Sequence, residues 1–417
     1  MQFLYAVFIF LLKSGMRVFS IFNEKAKKGV EGRKQSLAII QQSLTKQDRV
    51  LWMHAASLGE YEQGLPVLEK LKEKYPTHKV LITFFSPSGY EIIAKRKHPA
   101  HAICYLPFDS KQEITDFIAQ FKTDIFITIK YEYWYCLLSE LKKQGAKVYV
   151  VSALFYEKQV FFTSWEQWFA KQLKQNVDWF FHQTEHSKIL AESIGLKNAT
   201  TTGDTRYDRV KQLRERDNTV EGIAEFKGDE KLIVFGSSWQ AEEKILQILQ
   251  EQVSGCKFII APHDLKRVAI LKDTWGKHSV LYSEIASSRL QNTEFKILII
   301  DSIGLLSKIY SYADLAVVGG GFHSAGLHNI LEAATFGVPV VFGNHYQKNP
   351  EADALIAYGG GKSSPDEIAA ATFILELMNN PHQLKNMSNM AEKMVSIQPN
   401  ATELIVEKID LNTPKIS

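Results

Sequence analysis

The chain has 417 residues, 45% hydrophobic and 23% charged, with a net charge of +3. That length exceeds the usual reach of one hydrophobic core and predicts two domains, while the composition excludes a disordered chain. The charge is too mild, and no Lys/Arg stripe is interleaved with aromatics, so nucleic acid is excluded as a partner.

The amino-terminal stretch Met1–Phe22 is rich in Phe, Leu and Ile and holds two charges, Lys13 and Arg17. Asn23–Lys34 follows with five basic and two acidic residues. A membrane anchor, an in-plane amphipathic helix and a signal peptide compete for this pattern. The basic block lies on the C-terminal side of the apolar run and no small-residue cleavage site follows, which argues against the signal peptide. The positive-inside tendency then puts the remaining chain in the cytoplasm, held to a membrane peripherally or by a single pass. The cysteines Cys104, Cys136 and Cys256 sit apart inside apolar runs, without metal-ligand spacing, and fit reduced, buried thiols.

From residue 48 onward strand-length apolar runs recur at Val50–His54, Val80–Phe85, Ala102–Leu106, Asp124–Ile129, Lys147–Ser152 and Asp178–Phe181. Amphipathic segments such as Tyr61–Tyr75 and Lys111–Phe121 separate them. Continuous apolar strands alternating with helices predict a parallel sheet covered on both faces. Gly203–Gly228 is polar and reads as a connection, after which strands recur at Leu232–Gly236, Lys257–Ala261, Phe295–Ile300, Asp314–Val318 and Pro339–Gly343. The expected fold class is α/β: two Rossmann-like, doubly wound domains facing across a cleft, with an N-terminal membrane-anchoring helix. The expected boundaries are an anchor and basic segment over 1–34 and an N-terminal Rossmann-like domain over 35–205. A linker over 206–229, a C-terminal Rossmann-like domain over 230–395 and a tail over 396–417 complete the chain.

Four motifs fall just beyond strands, where ligands bind in open α/β sheets. The first, Trp52–Glu60, places Ser57, Gly59 and Glu60 at the turn into a helix. Glu60 fits either a first-turn acid favoured by the helix dipole or a general base for a hydroxyl. Ser86 and Ser88 repeat the arrangement after the next strand. The second motif, Gly236-Ser237-Ser238, suits a phosphate at a helix N-terminus, as do ordinary serine caps. The third is Pro262-His263. The fourth runs from Ala313 through Gly320 and Gly321 to His328, Asn329 and Glu332, with a helix expected to begin near Gly326. Its Asn and Glu, three apart, would share one face, where a glutamate can accept both ribose hydroxyls. No Walker A, GxSxG, HExxH, paired-Cys or DxD sequence is present, so no metal and no cofactor are expected.

These motifs resemble those of the 3-deoxy-D-manno-octulosonic acid (Kdo) transferases of lipopolysaccharide synthesis. The resemblance rests on WMHAASLGE, GSSWQAEE, ADLAVVGGG and GLHNILEAATFGVPVVFG and covers nearly the whole chain. It implies a GT-B fold and an inverting transfer of Kdo from CMP-Kdo to a hydroxyl of a lipid A precursor of the lipid IVA type. It further implies Glu60 as catalytic base, and donor contacts from Ser237, Ser238, Gly320, Gly321, Asn329 and Glu332. Three departures stand out. The family's ETExW reads Lys130-Tyr131-Glu132-Tyr133-Trp134, with lysine in place of the first glutamate. PRHPER places His263 where arginine is usual, and GNxKxD places Arg206 where lysine is usual. The alternative reading is another GT-B enzyme, using a different nucleotide sugar or epimerising one.

Overall fold

The computed structural model describes residues 1–157, 159, 166–287, 295–324 and 326–411. Two compact units emerge: Met1–Arg209 together with the segment from Pro399, and Val210–Gln398. Each is built on a seven-stranded, all-parallel sheet.

In the first unit the strands are β1 (Arg49–Ala55), β2 (Lys79–Phe84), β3 (Ala102–Tyr105), β4 (Lys122–Ile129), β5 (Lys147–Ala153), β6 (Trp179–His182) and β7 (Ala199–Thr201), in the order β3-β2-β1-β4-β5-β6-β7. Their interiors are Val, Ile, Leu and Phe buried on both faces, which the helices on either side of the sheet require. Trp52 is fully buried among Phe117, Phe121 and Phe126, and its indole N–H donates to Thr83 Oγ1 at 2.8 Å. Burial of each such side chain contributes roughly 1.5–3 kcal/mol. Because β1 sits between β2 and β4, the chain reverses its winding direction at the β1/β4 pair.

The second unit repeats the plan with β8 (Lys231–Ser238), β9 (Cys256–Pro262), β10 (Ser279–Leu281), β11 (Ile297–Ile299), β12 (Leu315–Val318), β13 (Val340–Gly343) and β14 (Gly361–Ser364). The order is β10-β11-β9-β8-β12-β13-β14, so its switch point is the β8/β12 pair. Every apolar run named above is a strand, with ends shifted slightly. The short strands β7, β10 and β14 carry no long apolar run and were not expected.

Two segments differ from expectation. The stretch 206–229 holds the helices Thr205–Glu215 and Ile223–Lys227, and it is divided between the units at residue 209. The final segment is no loose tail. Its helix Ala401–Lys408 returns to the first unit, where the buried Asp208 carboxylate accepts N–H bonds from Ala401 at 3.2 Å and Thr402 at 2.7 Å. A buried carboxylate demands such donors, and a helix N-terminus supplies them. Residues 412–417 lie outside the described residues.

The helix Gln2–Phe19 is long and apolar enough to cross a membrane. One polar stripe docks on the first unit: Gln2 Nε2 donates to Tyr135 Oη at 2.7 Å, Tyr5 Oη donates to Asp109 Oδ2 at 2.6 Å, and Lys13 pairs with Glu113. Ile9 is buried within that stripe, whereas Phe3, Phe10, Leu11, Phe19 and Phe22 are exposed. The next helix, Glu24–Ser43, keeps Lys25, Lys27, Lys28 and Lys34 exposed but buries Arg33. The Arg33 guanidinium donates to the Phe85 carbonyl at 2.7 Å and lies over the Phe85 ring at 4.5 Å. The cysteines are free, with Cys136 only partly buried, in contrast to the full burial expected of it.

Candidate functional site

At the switch point of the first unit, β1 ends at Ala55 and the helix Leu58–Lys74 opens with Ser57 as its N-cap residue. The Ser57 hydroxyl makes no capping bond. A Cβ added at Gly59 would meet nothing within 4 Å, so that side of the turn is open. Glu60, in the first turn, is only 7% exposed, and its carboxylate accepts the Ala56 N–H. Burial foremost, then the neighbouring charge of Glu132, pushes its carboxyl up to about 7, against opposing N–H bonds from Ala56 and Ser57 and the charge of Lys130. A carboxylate held near neutrality in this way is suited to accept a proton at physiological pH.

Glu132 follows β4, the strand beside β1. It accepts the Trp134 indole N–H at 3.0 Å, and its other neighbour is the buried His54, whose Nε2 stands 3.7 Å from Glu132 Oε2. His54 Nδ1 is 3.1 Å from the Thr83 carbonyl and 3.0 Å from Thr83 Oγ1. Lys130 reaches this loop with φ of +60°, an uncommon conformation for a side-chain-bearing residue. On the other side Ser86 caps the short helix Pro87–Ile93 and contacts Ser88 Oγ at 3.0 Å, while its N–H donates to Ala56 at 2.8 Å. The ends of β1, β2 and β4 therefore bring Ser57, Gly59, Glu60, Ser86, Ser88 and Glu132 together. The Arg206 guanidinium is bound to Asp204 at 2.6 Å and 2.8 Å, and Asp204 also accepts from Gln63 on the Glu60 helix at 2.9 Å.

In the second unit, Ser237 and Ser238 are the last residues of β8 and the helix Gln240–Gln252 is capped by Trp239, so neither serine is the N-cap residue. Ser237 has φ of +50°, and Ser238 is fully buried with no hydrogen-bond partner for its hydroxyl among the described residues. The Glu242 carboxylate accepts the Trp239 N–H at 2.7 Å and closes that turn. Pro262 ends β9, and His263 follows with its N–H donating to Ser238 at 3.0 Å. The glycine run after β12 is shaped by neighbouring backbone. Gly320 has φ of +91°, and a Cβ there would fall 2.2 Å from the Gly326 carbonyl; at Gly321 it would fall 2.8 Å from the Gly343 nitrogen.

The helix expected near Gly326 begins only at Leu331, because Gly326 takes φ of +94° and Asn329 Oδ1 accepts the Leu331 N–H at 3.1 Å. His328 and Asn329 thus precede the helix rather than riding on it. Asn329 Nδ2 still donates to Glu332 at 3.2 Å, and Glu332 neighbours the buried Tyr310. Among the described residues, no group of three or more His, Cys, Asp and Glu stands in a metal-binding array.

Three contributors were missed in the sequence. His54 read as part of an apolar strand. Trp239 lay within GSSWQAEE without being singled out and His323 carried no motif, yet Trp239 stacks on His263 at 4.6 Å and 17° and meets His323 edge-on at 4.6 Å. An aromatic next to a serine pair just past a strand was the available signal.

Residues 31–209 match the family model described as 3-deoxy-D-manno-octulosonic-acid transferase (kdotransferase). The chain is 25% identical over 356 residues to the 3-deoxy-D-manno-octulosonic acid transferase of Rickettsia felis, covering 83% of this chain and 75% of that protein. It is likewise 25% identical over 352 residues to the enzyme of that name from Aquifex aeolicus, covering 83% and 90%. Among solved structures, the UDP-GlcNAc 2-epimerase from Neisseria meningitidis bound to UDP-GlcNAc is similar with a TM-score of 0.59 at 20% identity, covering 86% of this chain and 98% of that one. That likeness concerns the fold, two Rossmann-like units of GT-B type.

Proposed function

We propose, from the match of residues 31–209 to the Kdo transferase family model and the likeness to curated Kdo transferases, that the chain transfers Kdo from CMP-Kdo, with inversion, to a hydroxyl of a lipid A precursor of the lipid IVA type. The observation that carries this reading is Glu60: buried at the β1/β4 switch point and held near neutrality by burial and Glu132. Inversion requires an attacking oxygen that loses its proton as the new bond forms, and a carboxylate tuned close to the working pH takes that proton most effectively. Ser57, Gly59, Ser86, Ser88 and Glu132 line the acceptor side in this proposal. Arg206, already paired with Asp204, acts there by holding the Glu60 helix through Gln63.

The donor falls to the second unit. Ser237 and Ser238 precede the N-terminus of a 13-residue helix, whose N–H dipoles favour a phosphate without a metal ion. Pro262, His263, Gly320, Gly321 and His328 surround that terminus, and Asn329 with Glu332 holds the ribose.

The N-terminal helix completes the proposal. Its polar stripe is engaged by the first unit and its apolar side chains remain outside, followed by exposed lysines. This supports a helix lying in the cytoplasmic interface of the inner membrane, with the lysines among anionic headgroups.

The test is incubation of the detergent-solubilised protein with freshly generated CMP-Kdo and a tetraacylated lipid A precursor, followed by mass spectrometry of the lipid. A gain of one or more Kdo units supports the proposal. No gain, with donor and acceptor intact, rejects it.

A further inference from the structure

Four rings supplied by the ends of β8, β9 and β12 pack together in the second unit. His263 lies on the Trp239 face at 4.6 Å, His328 lies 4.7 Å from His263, and His323 meets the Trp239 edge at 4.6 Å. The indole N–H can only donate, so the 3.4 Å contact between Trp239 Nε1 and His328 Nε2 makes His328 Nε2 the acceptor. A proton added at that nitrogen would face another donor, and His328 is thereby fixed as a neutral ring. His263 has no such constraint. A charge on it would lie over the indole face, a favourable cation–π arrangement. A second charge on His328, 4.7 Å away, would be repelled.

The groups facing His263 are the carboxylate of Asp264, which favours its charge, and the imidazoles of His323 and His328, which oppose it. Burial foremost holds His263 below the usual histidine range and His328 down to about 4, so both are neutral at physiological pH in the free protein. The fully buried, unpartnered hydroxyl of Ser238, whose carbonyl accepts the His263 N–H, marks the same place as a polar ligand's seat.

We propose that His263 is a proton-gated anion contact: it takes up one proton as it receives the phosphodiester or carboxylate of a CMP-linked sugar acid, with Trp239 stabilising the ring's charge. This rests on the donor reading above. By linkage, a group that gains a proton on binding makes affinity rise as pH falls, by up to about tenfold per pH unit between the bound-state and free-state pKa values. An arginine, the family's usual residue at this position, is always charged and gives no such dependence.

The experiment is titration calorimetry of the full chain in detergent with CMP-N-acetylneuraminic acid, a stable CMP-linked sugar acid with no phosphate group titrating near neutrality. It is run at about pH 8 and about pH 6, each in two buffers of different ionisation enthalpy. Uptake approaching one proton, with several-fold tighter binding at the lower pH, is expected of the natural protein. His263→Arg and His263→Gln should bind with no proton uptake and flat affinity. Binding without uptake in the natural protein, or uptake that persists in His263→Arg, overturns the proposal but not the donor reading. No binding at either pH overturns the donor reading and the proposal with it.

Discussion

The two switch points use one scaffold for opposite electrostatics. In the first unit burial raises the Glu60 carboxyl to about 7, whereas in the second it lowers the His328 imidazole to about 4. In both, the low-dielectric end of a parallel sheet suppresses charge. The outcome differs because the residue types differ: a suppressed carboxylate becomes a better base, and a suppressed imidazole becomes a stacking surface. Both places also hold a side-chain-bearing residue at positive φ, Lys130 in one and Ser237 in the other. Such strain persists where surrounding structure overdetermines a loop.

The comparison breaks first at Glu60. Glu60→Gln keeps the shape and removes the base, so the transfer rate should fall by about 10²–10⁴-fold with little change in donor binding. If donor binding falls equally, the division of labour between the units is wrong. A second contrast is thermodynamic. His328 titrates near 6.5 when unfolded and about 4 when folded, so the unfolded chain binds more protons in that window. Stability should therefore fall as pH drops from about 6.5 to about 4, by up to a few kcal/mol. The raised carboxyls have the other sign. Glu60 and Asp109, each pushed to about 7, bind protons in the folded state over a range where the unfolded chain has released them. They favour folding at lower pH and lose that contribution as pH rises through about 7. Urea denaturation across pH 4–8 of His328→Gln and Glu60→Gln should flatten the two slopes separately.

A smaller effect sharpens the boundary between the units. Asp208→Ala removes the carboxylate that caps the returning helix Ala401–Lys408 and should cost about 2 kcal/mol in urea denaturation. A change below about 0.5 kcal/mol would mean that the segment from Pro399 adds little to the first unit.

Much of this was legible in the chain. Apolar runs identified the central strands, because a sheet covered on both faces permits little else at β1, β4, β8 and β12. Glu60 was legible because a strand, a small-residue turn and a helix start place it unambiguously. The edge strands were hidden, since Ala199–Thr201 and Gly361–Ser364 pair through backbone and need no apolar side chains. The start of the Leu331 helix was misread because Asn329 satisfies its first turn from outside, which spacing alone does not reveal. His54 beside Glu132 and Trp239 beside His263 unite residues distant in sequence. Only the order of strands in each sheet brings them into contact.

The most direct test of the central claim is the pH dependence of kcat/KM for Kdo transfer, with Glu132→Gln alongside. An acidic limb near pH 7 is expected, with activity rising as Glu60 loses its proton. That limb should move to lower pH when the neighbouring Glu132 charge is removed. A limb near the ordinary carboxylate range of about 4–5, or one that Glu132→Gln leaves in place, would contradict it.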